Sequence, residues 1–225
     1  MKMGVLFIWI FVFSMVAFAQ VAGGSLPLAP PVVPEKDGAY RIHYIANLDA
    51  GDSYLNFTNS GALSGLDPVG RICVNVYVFD PAEELISCCA CPVTPNGLVS
   101  LSARNDLIGN TLTPGVPTSI VVKLLSSLPI AGTCNASSPS ATNLVRGMHV
   151  WSTNLHLNTA AAPVAPILRA AQRPIYGQTE DDPKAELSFS ELTKLTSFCN
   201  FIQANGSGFG ICRSCRFGAL GATQQ

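Results

Sequence analysis

The stretch that decides the fold is ICVNVYVFDPAEELISCCAC, residues 72–91. Its first eight residues are largely apolar on both alternating faces, which is typical of a central strand in a sheet. Asp80-Pro81-Ala82-Glu83 is a turn with proline at its second position. The chain then returns as an antiparallel partner, so the hairpin carries the cluster Cys88-Cys89-Ala90-Cys91 at the end of a strand.

Outward from this hairpin, β-branched and alternating segments predict further strands. They cover residues 40–45, 54–58, 98–103, 119–125 and 148–157, whereas the Ala- and Pro-rich residues 160–183 are predicted to be irregular. The sequence therefore predicts a mostly β fold, an antiparallel β-sandwich with one C-terminal α-helix, stapled by disulfides.

The predicted helix begins after Ser188, which forms a capping box with Glu191. Leu187 and Leu192 are spaced as a hydrophobic staple across this helix start. Apolar residues then recur at helical spacing on one face, and Asn205-Gly206 ends the helix. The buried face consists of Leu192, Leu195, Cys199 and Ile202.

The N-terminus has the pattern of a removable export signal. A short positive start at Lys2 precedes an apolar run, and Ala17-Phe18-Ala19 has the small residues that signal peptidase requires. The alternative, a membrane anchor, needs about 20 apolar residues, and this run is shorter. We expect a signal peptide at 1–19, a Pro-rich extended spacer at 20–39, a single β-rich domain at 40–217 and a tail at 218–225.

Composition limits the partners. Charged residues make up 12% of the chain and the net charge is -1, without a basic stripe. Nucleic acid is therefore a poor partner, and no membrane span is expected after signal cleavage. Other envelope or extracellular proteins, or glycans, are the expected partner classes, and no cofactor is predicted.

The chain has eight cysteines, at positions Cys73, Cys88, Cys89, Cys91, Cys134, Cys199, Cys212 and Cys215. In an exported protein such cysteines favour disulfides, and an even number permits four bridges. We expect the cluster at 88–91 to contact the region 199–215.

Two other uses of the cysteines remain open from the sequence. Cys88, Cys91, Cys212 and Cys215 form two Cys-x-x-Cys pairs, the ligand set of a structural zinc site. Thiol–disulfide exchange is disfavoured, because neither pair lies at a predicted helix N-terminus, where a thiol pKa would be lowered.

Local catalytic motifs are missing, since the sequence has neither a Gly-x-Ser-x-Gly elbow nor a His-Glu-x-x-His pair. The sequence thus favours a protein without enzymatic activity. The alternative is an exported hydrolase whose site is built from distant residues such as Ser102, Asp106 and His149.

Residues 72–80, 88–96 and 201–210 resemble segments of a family of exported, cysteine-rich bacterial proteins of unknown function. The resemblance implies export and no particular activity or site residues. Together with the residues themselves, it leads us to expect a secreted, periplasmic or extracellular protein with a structural or binding role in the cell envelope or extracellular space.

Overall fold

A computed structural model describes residues 38–62, 70–157, 174–180, 185–213 and 215. Within them the chain forms two four-stranded antiparallel sheets, one α-helix and four disulfides. The predicted mostly β, disulfide-stapled sandwich with a C-terminal helix is confirmed. The predicted signal peptide, the tail at 218–225 and the spacer up to residue 37 lie outside the described residues.

The elements follow in the order β1 (Tyr40–Ile45), β2 (Tyr54–Asn59), β3 (Ile72–Phe79), β4 (Leu85–Val93), β5 (Leu98–Ser102), a short π-helix (Ala103–Leu107), β6 (Ile120–Ser127), β7 (Met148–Leu157), β8 (Pro174–Glu180) and α1 (Phe189–Ala204). The first sheet has the strand order β1-β6-β3-β4, and the second has the order β5-β2-β7-β8. No helix in the described part of the chain has both the length and the apolar character of a membrane span.

The predicted hairpin of β3 and β4 is present, with Val76 opposite Cys89 and Tyr77 opposite Cys88. Strand β3 lies between β6 and β4, and its first seven residues are buried. In the turn, the Asp80 carboxylate accepts hydrogen bonds from the backbone N–H groups of Ala82 and Glu84, both at 2.9 Å. The apolar character of both faces of β3 is thus explained by its central position.

The molecule has two apolar layers. The inner layer lies between the sheets and includes Phe57 of β2 together with Val76 of β3. The outer layer lies between the first sheet and α1, where Tyr77 packs with Leu195 and Cys199. Because β3 and β4 contribute side chains to both layers, each cysteine of β4 is assigned to a layer by the alternation of the strand.

The structure corrects the prediction that residues 160–183 are irregular, because β8 occupies 174–180 and pairs antiparallel with β7. Pro174 is the first residue of β8, and β8 is an edge strand of its sheet. Proline lacks the N–H group that a central strand needs, but this position tolerates the loss. The prediction of an irregular segment was wrong here because it relied on the Ala and Pro content alone.

The start of α1 forms only half of the predicted capping box. Ser188 Oγ accepts the hydrogen bond from the Glu191 backbone N–H at 3.1 Å, as predicted. The Glu191 carboxylate, however, accepts a hydrogen bond from Lys123 Nζ of β6 at 2.5 Å. This ion pair joins the first turn of the helix to the sheet beneath it.

Candidate functional site

Strand β4 carries three cysteines that face two different layers. Cys88 lies in the outer layer against α1, whereas Cys89 and Cys91 lie in the inner layer. This division follows from the two-residue period of a strand. The structure joins Cys88 to Cys199, Cys89 to Cys212 and Cys91 to Cys215, with Cα–Cα distances of 5.9, 5.4 and 4.7 Å. The cluster at 88–91 thus meets the region 199–215, as expected.

The fourth disulfide joins Cys73 of β3 to Cys134 in the loop that follows β6. Two residues beyond Cys134, the Ala136 carbonyl accepts a hydrogen bond from the Tyr77 hydroxyl at 2.6 Å. Tyr77 is fully buried, and this burial raises the pKa of its phenol above the usual value. The loop is therefore held to the outer layer by one covalent bond and one buried hydrogen bond.

The segment that follows α1 runs along the exposed edge of β4. The Cys88 N–H donates to the Gly210 carbonyl at 2.8 Å, and the Gly210 N–H donates to the Asn110 carbonyl at 2.7 Å. The Arg213 guanidinium donates to the Gly109 carbonyl at 2.7 Å. The segment therefore covers a strand edge that would otherwise expose unpaired backbone groups. It also brings Cys212 to the inner layer.

Four sulfur atoms gather where this segment meets β4. The sulfurs of Cys89, Cys91 and Cys215 all lie within 4.8 Å of one another, and Cys212 is bonded to Cys89. Cys89 Sγ lies 3.5 Å from Cys215 Sγ, although the two belong to different disulfides. We call Cys89, Cys91, Cys212 and Cys215 the sulfur cluster.

A cavity of about 350 Å³ opens beside the sulfur cluster. Its lining includes cysteines from all four disulfides, together with Gln203 of α1. The cysteines in the lining are Cys88, Cys89, Cys134, Cys212 and Cys215. A small molecule or a hydrated ion in this cavity would therefore lie against residues of all four disulfides.

The predicted zinc ligands Cys88, Cys91, Cys212 and Cys215 are not brought together as a set. Cys88 lies on the opposite face of β4, bonded to Cys199, and Cys89 occupies the place beside Cys91. The alternation of side chains along a strand could have identified Cys89 as the neighbour of Cys91, because residues two apart share a face and residues three apart do not. On a strand, the Cys-x-x-Cys spacing therefore places its two cysteines on opposite faces, and it does not identify the residues that come together.

Ser102, one of the hydrolase candidates, belongs to a structural hydrogen-bond network. Its Oγ donates to Asp52 at 2.5 Å and accepts the Asn105 N–H at 2.9 Å, which caps the short π-helix. Its backbone N–H donates to the Asp106 carboxylate at 2.8 Å. Ser102 and Asp106 are thus adjacent, but the hydroxyl is engaged by a carboxylate and a backbone N–H group.

His149, the third hydrolase candidate, is separated from Ser102. Strand β2 pairs Tyr54 with Ser102, and it pairs Thr58 with His149. Four residues along a strand correspond to about 13 Å. His149 also lies on the other side of β2 from Ser102 and is exposed, so the three candidates do not form a triad.

A second cavity, of about 410 Å³, lies between α1 and the end of the first sheet. Lys123 Nζ is held between the Glu191 carboxylate and the face of Phe79, 4.9 Å from the ring centroid. Phe198 of α1 is 46% exposed on the opposite wall. We call this the helix groove; it is lined by Phe79, Asp80, Glu83, Val121, Lys123, Glu191, Lys194 and Phe198.

Comparison of the chain with known protein families, with curated proteins and with solved structures found no match.

Proposed function

We propose that this chain is an exported, non-enzymatic structural or binding protein of the cell envelope or extracellular space. The observation that carries the proposal is that all eight cysteines are paired in disulfides. Stable structural disulfides are characteristic of secreted, periplasmic and extracellular proteins. The signal-like N-terminus and the resemblance to exported cysteine-rich bacterial proteins support the same location.

The helix groove supports a binding role. Its volume of about 410 Å³ falls in the usual range for ligand sites, and it combines aromatic rings with charges of both signs. An exposed aromatic face such as that of Phe198 packs well against an amphipathic partner, while Lys194 and Glu83 can bond its polar groups. Extracellular glycans and proteins both offer such chemistry.

The alternative function, an exported hydrolase, receives less support. Ser102 Oγ is committed to Asp52, and His149 lies about 13 Å along the sheet from Ser102. A hydrolytic triad requires a histidine within hydrogen-bond reach of the nucleophile. We therefore assign Ser102 and Asp106 to the stability of the turn after β5.

Expression of the full chain in a bacterium tests both halves of the proposal. The exported protein is expected to begin at Gln20 and to be lighter by eight hydrogen atoms than its reduced form, as intact-mass analysis would measure. Purified protein should sediment with an insoluble envelope fraction. The variant Phe198→Ala is expected to lose most of this binding.

The matched control is Phe209→Ala, because Phe209 is 56% exposed and lies outside the helix groove. Retention of the leader, free thiols in the exported protein, or equal sedimentation of both variants would contradict the proposal. Hydrolysis of generic ester or amide substrates that Ser102→Ala abolishes would establish the alternative.

A further inference from the structure

Three sulfurs of the sulfur cluster lie at distances close to those in a metal site with thiolate ligands, and the fourth is bonded to one of them. Zinc binds cysteine thiolates at about 2.3 Å in a tetrahedron, which places neighbouring sulfurs about 3.8 Å apart. In the cluster, the sulfurs of Cys89, Cys91 and Cys215 lie within 4.8 Å of one another. The Cys89 and Cys215 sulfurs are 3.5 Å apart, and the fourth sulfur, on Cys212, is bonded to Cys89 and reaches the other two by rotation of its side chain once that bond is reduced.

We propose that the thiol state of this protein binds one zinc ion through Cys89, Cys91, Cys212 and Cys215. The chain is synthesised with thiols, and a dithiol reductant regenerates them from the disulfides. Each of the two disulfides takes up two electrons and two protons from the reductant, which itself becomes a disulfide. Zinc then displaces the four thiol protons. Two equivalents of a small disulfide oxidant take up four electrons and four protons, become dithiols, re-form the two protein disulfides and so release the ion.

The fold positions three of the four ligands, Cys89, Cys91 and Cys212, before the ion arrives. Cys89 and Cys91 are fixed on one face of β4 by its pairing with β3. The Gly210 carbonyl accepts a hydrogen bond from the Cys88 N–H, and Cys212 lies two residues after Gly210. The segment that carries Cys212 is therefore anchored to the same strand by backbone contacts. Because these hydrogen bonds do not involve sulfur, reduction removes the cross-links without removing the contacts that hold the ligands together.

The surroundings suit a soft metal ion. The four residues are at most 8% exposed, and their layer is otherwise apolar, which limits competition from water. The cavity of about 350 Å³ beside Cys89, Cys212 and Cys215 gives an entry path for the ion and for a small dithiol. The remaining cysteines form two separate pairs, Cys73–Cys134 and Cys88–Cys199, each with only two sulfurs.

The first test uses the full chain, reduced with a phosphine under anaerobic conditions. Cobalt(II) should bind at one ion per chain with the charge-transfer absorption of a tetrathiolate site, and zinc should displace it. Alkylation of the zinc-loaded chain, followed by peptide mass mapping, should modify the remaining four cysteines and spare the sulfur cluster. Absence of the cobalt absorption, or equal alkylation of all eight cysteines, would overturn the proposal.

The second test decides whether Cys89 or Cys88 is a metal ligand. Cys89→Ser should weaken cobalt affinity by more than about 100-fold, because loss of a ligand exceeds the usual 10- to 100-fold cost of losing a supporting contact. The matched control Cys88→Ser should leave the affinity unchanged. The opposite result, with Cys88 required and Cys89 dispensable, would refute this ligand set. Alkylation mapping of both variants in the presence of zinc gives a second readout: the remaining thiols of the sulfur cluster should stay protected in Cys88→Ser and become reactive in Cys89→Ser.

Discussion

At the scale of single residues, Tyr77 shows how a polar group is accommodated in the outer layer. Its ring is fully buried among apolar side chains, and its hydroxyl donates to the Ala136 carbonyl at 2.6 Å. Burial disfavours the charged phenolate, so the pKa of Tyr77 is raised. The pKa of Tyr40 is raised too, first by burial and then by the nearby Glu191 charge.

We predict that Tyr77→Phe lowers the free energy of unfolding at neutral pH by about 1–2 kcal/mol, because the buried Ala136 carbonyl loses its donor. The variant should also be less sensitive to alkaline pH. In the unfolded chain the phenol ionises near pH ~10, whereas in the folded chain it stays protonated. The Tyr77 side chain therefore makes its full contribution to the free energy of unfolding below that pH. Above it, the contribution falls by about 1.4 kcal/mol per pH unit.

Urea denaturation at neutral pH and in brief exposures above pH ~10 would measure both effects. The control Tyr44→Phe changes a side chain that is 61% exposed and should leave the neutral stability unchanged. An alkaline slope identical in the wild type and in Tyr77→Phe would contradict the assignment.

At the scale of elements, the turn after α1 decides whether the C-terminal cysteines reach β4. Gly210 has φ of +76°, and its carbonyl accepts the hydrogen bond from the Cys88 N–H. A Cβ atom at this position would lie 2.7 Å from Cγ2 of Ile202 and 3.3 Å from Cβ of Leu112. The turn therefore requires glycine for its conformation and also for the space between α1 and the sheet.

We predict that Gly210→Ala lowers the free energy of unfolding by about 2–4 kcal/mol, from the strain of a positive φ and from the clash with Ile202. Gly208 provides a matched control, since its φ is +78° and nothing lies within 4 Å of its Cβ position. Gly208→Ala should lose only about 1–2 kcal/mol, the strain component. Equal losses in urea titrations of the two variants would show that close packing at Gly210 is unimportant.

At the scale of the whole molecule, three of the four disulfides converge on β4, an edge strand of the first sheet. They connect positions separated by 111 to 124 residues, so they restrict the unfolded chain strongly. The edge of the sandwich, α1 and the C-terminal segment are thereby stabilised as one unit. A loss at any of these bonds should affect folding as well as final stability.

We predict that Cys212→Ser sharply reduces the yield of folded, disulfide-bonded protein, and that the thiol it leaves exchanges between two positions. The thiolate of Cys89 lies 3.5 Å from Cys215 Sγ and can attack it, forming a Cys89–Cys215 disulfide and releasing Cys91 as a thiolate. Alkylation and peptide mapping should therefore find one thiol per chain, divided between Cys89 and Cys91.

The matched control is Cys134→Ser, which frees Cys73 away from the sulfur cluster. Its single thiol should map to Cys73 alone. Exclusive labelling of Cys89 in Cys212→Ser, or an unchanged yield of folded protein, would count against this account of the cross-links.

Much of the fold was predictable because its signals are local. The apolar strand and the proline turn predicted the hairpin at 72–91. The Ser188 cap and the regular spacing of apolar residues predicted α1. Strand β8 was missed because its pairing with β7 depends on the edge of the second sheet, which is not encoded in its own residues. The Glu191 carboxylate was misassigned because its partner, Lys123, lies on a distant strand.

The sequence by itself determined the strand-rich architecture and the helix start at Ser188, because these follow from periodicity and short-range contacts. Only the tertiary structure decided that Cys89 joins Cys91, Cys212 and Cys215, and that Ser102 and His149 stay apart. The physical reason is that partners separated by many residues meet through strand register and layer packing. Register and packing are properties of the whole folded chain and not of any single segment.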